Sequence, residues 1–121
     1  MTIERLLAAE EVEIETRRAD GSSRRTIVWI VGERRQLFVR SVRGERGRWY
    51  QEARADPAVA MWLGGERLAC HARHVTDPAG IAAVSRLLAG KYAGDPSLGS
   101  MLVDEVLPTT LELLPDATPS G

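Results

Sequence analysis

The sequence predicts a mainly β fold: a small antiparallel barrel of about six strands with short helices inserted. Three observations predict it. Apolar and polar residues alternate with a period of two over residues 12–18 and 36–42, and residues 25–31 (RTIVWIV) form a β-branched and aromatic run. Turn signals at Ala19-Asp20-Gly21-Ser22-Ser23, Gly32-Glu33-Arg34-Arg35 and Gly64-Gly65 separate such runs at hairpin spacing. At 121 residues the chain makes one domain with a small core, and closing its sheet removes exposed edges.

Each element has its own reason. Residues 3–10 read as a short helix with Thr2 as N-cap. In the first strand Val12, Ile14 and Thr16 alternate with Glu13, Glu15 and Arg17. The second strand covers 25–31 and the third 36–42. Residues 45–55 form a helix that gathers Trp49, Tyr50 and Ala53 on one side and ends before Pro57. Strands at 59–63 and 66–75 flank the Gly-Gly turn. Asp77-Pro78 opens a helix over 79–88, followed by a loop at 90–96 and a helical turn at 97–104. A last strand covers 107–114. The domain spans 1–115, with a flexible tail at 116–121.

Composition narrows the function. Between Thr16 and Ala55 eleven arginines face four acids, a net charge of +7; the remainder has five basic and thirteen acidic residues, −8. The total of −1 hides this asymmetry. Arginines at strand spacing suit a phosphate or carboxylate ligand, which the planar guanidinium binds bidentately. A nucleic acid partner is disfavoured by the acidic remainder and by the presence of six aromatic residues in all. The single cysteine, Cys70, excludes an internal disulfide. With no apolar leader flanked by positive charge and no long apolar run, a cytoplasmic protein without a membrane span is expected.

Three constellations could carry chemistry. The first joins Arg25-Thr26-x-x-Trp29 on the second strand to Arg40-Ser41-x-Arg43-Gly44 at the end of the third. Gly44 would leave backbone amides free before the Glu45 helix, where an anion is favoured. Arg48 would meet a phosphate while Trp49 walls a planar ring. The alternative is that these arginines are a solvated face and Trp49 is core. The second is Cys70-His71-x-x-His74, but on a strand the two histidines point to opposite faces, so no metal site is expected. The third is Lys91-Tyr92, either lying over a ligand pocket or acting as a helix-terminal cation and a packing tyrosine. Trp62 reads as core or dimer interface.

The order T-R-R-x-D-G-x-x-R-R-T-x-x-W-x-V, then L-F-V-R-S-V-R-G, then R-W-Y-x-x-x-x-A-D-P-x-V, then G-G, resembles the split-barrel flavin and deazaflavin oxidoreductases. These are the pyridoxamine-phosphate-oxidase-like proteins and the deazaflavin-dependent nitroreductases. The resemblance implies a six-stranded antiparallel, Greek-key-like split β-barrel that forms a homodimer with its cofactor at the interface. It implies cofactor contacts from Arg25, Thr26, Ser41, Arg43, Gly44, Arg48 and Trp49. The cofactor would be FMN or the deazaflavin coenzyme, the Trp49-Tyr50 helix leaning toward the deazaflavin. The implied activity is hydride transfer between that ring and a small organic substrate, with no side-chain acid or base assigned because the cofactor carries the chemistry. One departure is Glu45, an acid where the deazaflavin branch has a Lys-Gly-Gly-like turn. The other reading is a non-redox module on the same barrel that binds a phosphorylated or acidic metabolite.

Overall fold

A computed structural model describes residues 2–116. Its strands are β1 (Val12–Arg17), β2 (Ser23–Val28), β3 (Phe38–Val39), β4 (Ala58–Leu63), β5 (Glu66–His74) and β6 (Leu111–Pro115). Helices α1 (Ile3–Ala8), α2 (Arg48–Ala55) and α3 (Pro78–Lys91) are inserted among them. The strands form one antiparallel sheet in the order β2-β1-β4-β5-β6-β3. β2 and β3 lie at opposite ends of that order yet follow each other in sequence. The chain between them therefore returns from one edge to the other, and Val31 and Phe38 exchange hydrogen bonds of 3.1 and 2.7 Å on the way. The sheet is thus curled into the half-barrel of a split-barrel fold.

Local chemistry sets the elements. Thr2 Oγ1 accepts from the Arg5 amide and caps α1. β1 buries Val12, Ile14 and Thr16, as its alternation requires. Gly64 and Gly65 have φ of 57° and 84°, the pair a type I′ hairpin turn demands. Asp77 accepts from the Gly80 amide at 2.8 Å and Pro78 opens α3, which runs past Gly90 to Lys91 rather than stopping at residue 88.

Four expected elements come out differently. The second strand ends at Val28, because Ile30 turns into the barrel core while Val31 joins a second core. The third strand is two residues long. Beyond Val39 its neighbour is a 3-10 helix (Leu107–Thr109), which offers no strand ladder, so the Ser41 amide donates to Thr109 Oγ1 at 3.0 Å instead. That 3-10 helix also shortens the last strand, since Pro108 cannot donate to a ladder. The helix expected over 45–55 divides at Gly47, whose extended backbone (ψ 131°) separates a 3-10 helix at Gly44–Arg46 from α2. Asp116 still donates to the Ala69 carbonyl at 2.9 Å. The rest of the expected tail lies outside the described residues.

Two cores hold the molecule. Inside the barrel Ile14, Ile30, Leu37, Val59, Met61 and Leu113 pack against Leu6 of α1 and against Trp49, Tyr50 and Ala53 of α2. On the other side of β3, Val31 and Phe38 pack against Val84, Leu88 and Tyr92 of the α3 region and against Met101 and Val106. A cavity opens where the two cores meet, beyond the end of β3.

Candidate functional site

The cavity holds about 590 Å³, within the range of small-molecule sites. β2 contributes Arg24, Thr26, Ile27 and Val28, and Trp29 follows. The segment after β3 contributes Arg40, Ser41, Val42 and Arg43. Gly47, Arg48 and Trp49 form the start of α2, and Asp95, Ser97 and Met101 close the far side with Glu11.

Strand alternation decides which arginine of β2 faces in. Thr26 and Arg24 lie opposite Ile14 and Thr16, on the barrel side, so Arg25 points the other way. There Arg25 bonds Glu13 at 2.7 Å and its guanidinium stacks 4.0 Å from the Trp62 ring. Arg25 is therefore outside the cavity, and Arg24 stands in its place. Arg24 is partly engaged, with Nε donating to both Glu52 oxygens at 2.9 and 3.0 Å. Burial pushes the Glu52 carboxyl up, but the hydrogen bonds from Arg24 and Thr16 outweigh it and hold the group below the usual range.

Gly44 also differs from expectation. Its φ is +67° and its amide donates to the Ser41 carbonyl at 2.9 Å, so that amide is not free for a ligand. It serves the turn, with a Cβ there falling 2.9 Å from the Glu105 carbonyl oxygen. The uncapped helix start lies at Gly47 instead. Gly47 precedes α2, which has no side-chain cap and no acid in its first turn. Its early amides are orphan donors beside the cavity. Glu45 lies in the preceding 3-10 helix, exposed and outside the cavity lining, so it is not a first-turn acid of α2.

Ser41 is the focal point. It is 1% exposed, and its hydroxyl is the one buried side-chain polar atom among the described residues without a hydrogen-bond partner. A Cβ on Gly47 would lie 2.3 Å from that hydroxyl, so α2 starts this close only because residue 47 is glycine. Arg43 and Arg48 are exposed at the rim and make no ion pair among the described residues. Trp49 both lines the cavity and belongs to the barrel core, packing edge-on to Tyr50 with centroids 6.3 Å apart. Trp29 lies parallel to Tyr92, centroids 3.8 Å apart, so its ring is held flat against a support. Of the seven residues singled out in the sequence, Thr26, Ser41, Arg43, Arg48 and Trp49 converge; Arg25 and Gly44 do not. Arg24 and Gly47 were legible only through strand alternation and helix capping, and Glu11, Asp95 and Met101 carried no local signal.

The other constellations resolve as packing. Lys91 is the last residue of α3, and its ammonium donates to the carbonyls of Ala9 (2.7 Å) and Ile30 (2.6 Å). Burial lowers its pKa. Tyr92 donates to the Glu10 carbonyl at 2.7 Å, and burial pushes its phenol up to about 12. Cys70 is buried, with its thiol pushed up to about 12 by the same cause. His71 is exposed, while His74 Nε2 lies 2.5 Å from Tyr50 Oη. Among the described residues no group of three or more His, Cys, Asp or Glu is placed to hold a metal ion. Trp62 is half-buried on the outer face, with Nε1 donating to Glu15 at 2.7 Å. No helix among the described residues is long and apolar enough to cross a membrane.

The six-stranded half-barrel with its inserted helices is a split-barrel fold, and solved structures share it. The fold matches a protein from Listeria innocua named "Putative Pyridoxamine 5'-phosphate oxidase" with TM-score 0.69 and 12% identity, over 95% of this chain and 91% of that one. It matches an F420-H2 dependent reductase with TM-score 0.68 and 20% identity, over 86% and 93%. It also matches HutZ, a heme storage protein from Vibrio cholerae, with TM-score 0.68 and 13% identity, over 98% and 93%. No curated protein matches by sequence. The chain belongs to the family described as "Uncharacterized protein conserved in bacteria" (DUF2255), whose model covers residues 2–113.

Proposed function

We propose that the cavity binds FMN or the deazaflavin coenzyme and that the protein is an oxidoreductase acting on a small organic substrate. The observation that carries the reading is the Ser41 hydroxyl, buried without a partner in the cavity wall. A buried hydroxyl left unsatisfied is costly, and an oxyanion reaching it would satisfy it. Arg43, Arg48 and the uncapped start of α2 line the same cavity and favour the same charge. The residues therefore fit a phosphate. Thr26 supplies a further hydroxyl, and Trp29, Trp49 and Met101 supply flat or apolar walls for a ring.

In this reading Ser41, Arg43 and Arg48 hold the phosphate, and Trp49 with Trp29 orients the ring. The bound cofactor supplies the hydride chemistry; the protein supplies orientation and a partly dry cavity. Ile27 and Val42 are 63% and 57% exposed at the cavity mouth. Exposed apolar residues beside a site suit burial against a second copy of the chain, so the functional unit in this reading is a homodimer.

The test is a fluorescence titration of the purified protein with FMN and with the deazaflavin coenzyme, after its native absorption spectrum is recorded. Micromolar or tighter binding of one of them is expected and chooses the cofactor. If both fail to bind while other phosphorylated metabolites raise the melting temperature, the non-redox binding module replaces this reading.

A further inference from the structure

We propose that Arg40 is a specificity-determining residue of the cavity, and that the occupant's phosphate group is the missing counter-charge of this buried guanidinium. The proposal rests on the anion-binding half of the reading above and not on the identity of the ring.

Arg40 is 2% exposed, among the most deeply buried large side chains of the molecule. Buried arginines are ordinarily paired with a carboxylate. Arg40 is not. Its three nitrogens donate to Thr110 Oγ1 (2.8 Å), the Met101 carbonyl (2.9 Å) and the Ile81 carbonyl (2.8 Å), all neutral acceptors. No acid lies within ion-pair distance among the described residues. Burial without compensation by a nearby acid pushes its pKa down to about 10. A guanidinium carries five N–H groups and three are engaged here, which leaves donors for a further acceptor.

A purely structural staple across α3, the Leu98–Met101 turn and Thr110, the residue before β6, would not need an uncompensated charge. Well-packed apolar replacements of buried ionic groups are often neutral or stabilising. The position of Arg40 supplies a reason for the charge. It lines the same cavity as the unpartnered Ser41 hydroxyl next to it in sequence, with Arg43 and Arg48 at the rim. A positive charge in a low-dielectric wall acts on a cavity anion far more strongly than the same charge at the exposed rim. Arg40 would then set the preference for an anionic over a neutral ligand, while the rim arginines guide its entry.

The experiment measures the dissociation constant of inorganic phosphate, by calorimetry and by thermal shift, for the wild type, Arg40→Met and Arg40→Lys. Arg40→Met is expected to weaken phosphate at least about tenfold, the scale of a charged hydrogen bond. Arg40→Lys, which keeps the charge, should retain binding to within a few-fold. A purely structural role would lower the melting temperature but leave the phosphate dissociation constant of Arg40→Met unchanged, and that result overturns the proposal. If Arg40→Met does not fold, the wild type decides: phosphate must stabilise it beyond chloride at equal ionic strength, and equal effects overturn the proposal. Phosphate binding that depends on Arg40, together with no binding of FMN or the deazaflavin coenzyme, would sink the redox reading and leave this one standing.

Discussion

The arginines of the sheet and the arginines of the loop after β3 carry the same group under opposite conditions. On the sheet each meets an acid. Arg25 bonds Glu13, Arg67 bonds Glu15, Arg24 bonds Glu52 and Arg73 bonds Glu112. β1 presents Glu13 and Glu15 on the face opposite its buried residues, so arginines of β2 and β5 find carboxylates within reach. After β3, Arg40 and Arg43, with Arg48 at the start of α2, form no ion pair among the described residues; Glu45 of the same segment lies outside the cavity lining, and the cavity's own acids, Glu11 and Asp95, pair with none of the three. Charge density in the sequence does not separate the two sets. What separates these two sets is whether the fold supplies a carboxylate partner, and Arg40, Arg43 and Arg48, left without one, all line the cavity.

The sharpest way to break this division is Arg43→Ala. It should weaken FMN or inorganic phosphate by about 1.5–3 kcal/mol in a calorimetric titration while leaving the melting temperature in place. Loss of stability with unchanged affinity would move Arg43 into the structural set. Gly47→Ala comes next. Its Cβ would fall 2.3 Å from Ser41 Oγ, so urea unfolding should show a loss of about 1–3 kcal/mol. Adding Ser41→Ala should recover part of that loss, because the two sites share one contact.

Acid then distinguishes the paired set. The hydrogen bond from Arg67 does most to hold Glu15 below its usual pKa, and Glu52 is held low by Arg24 and Thr16 against the effect of burial. Both carboxyls titrate lower in the folded state than the unfolded value of 4.5. Their contribution is thus complete above that value and is lost as pH falls through the folded values. Urea midpoints measured from pH 6 to pH 3 should decline below about 4.5, and Glu15→Gln should flatten the decline. Arg43→Ala should leave the slope unchanged. The smallest effect is expected for Arg25→Ala: less than about 1 kcal/mol of stability, from an exposed ion pair and its stacking on Trp62, with phosphate affinity unchanged. A drop in affinity would return Arg25 to the site.

Much of the fold was legible because it rests on local rules. The β1 alternation, the Gly64-Gly65 turn, the Thr2 cap and the Asp77-Pro78 helix start are each determined within a few residues. The sequence period held a clue for Arg25, since the strand alternation that places Thr26 opposite the buried Ile14 turns Arg25 to the other face, opposite Glu13. The loop after β3 was harder. Its shape depends on the 3-10 helix at Leu107–Thr109, about 70 residues away, whose Thr109 hydroxyl takes the Ser41 amide. The solitude of Arg40 is likewise a tertiary property. Nothing within residues 36–42 reveals that the guanidinium will meet two carbonyls and a hydroxyl rather than a carboxylate.

The three tryptophans are divided by the barrel in a way that has an optical consequence. Trp29 and Trp49 line the cavity; Trp62 sits on the outer face beneath the Arg25 guanidinium. The intrinsic emission of the protein therefore has a component that looks into the cavity and a component that does not. An absorbing molecule entering the cavity would quench the first and leave a residual emission from Trp62. Trp62→Phe would remove that residue and turn the remaining fluorescence into a direct readout of occupancy.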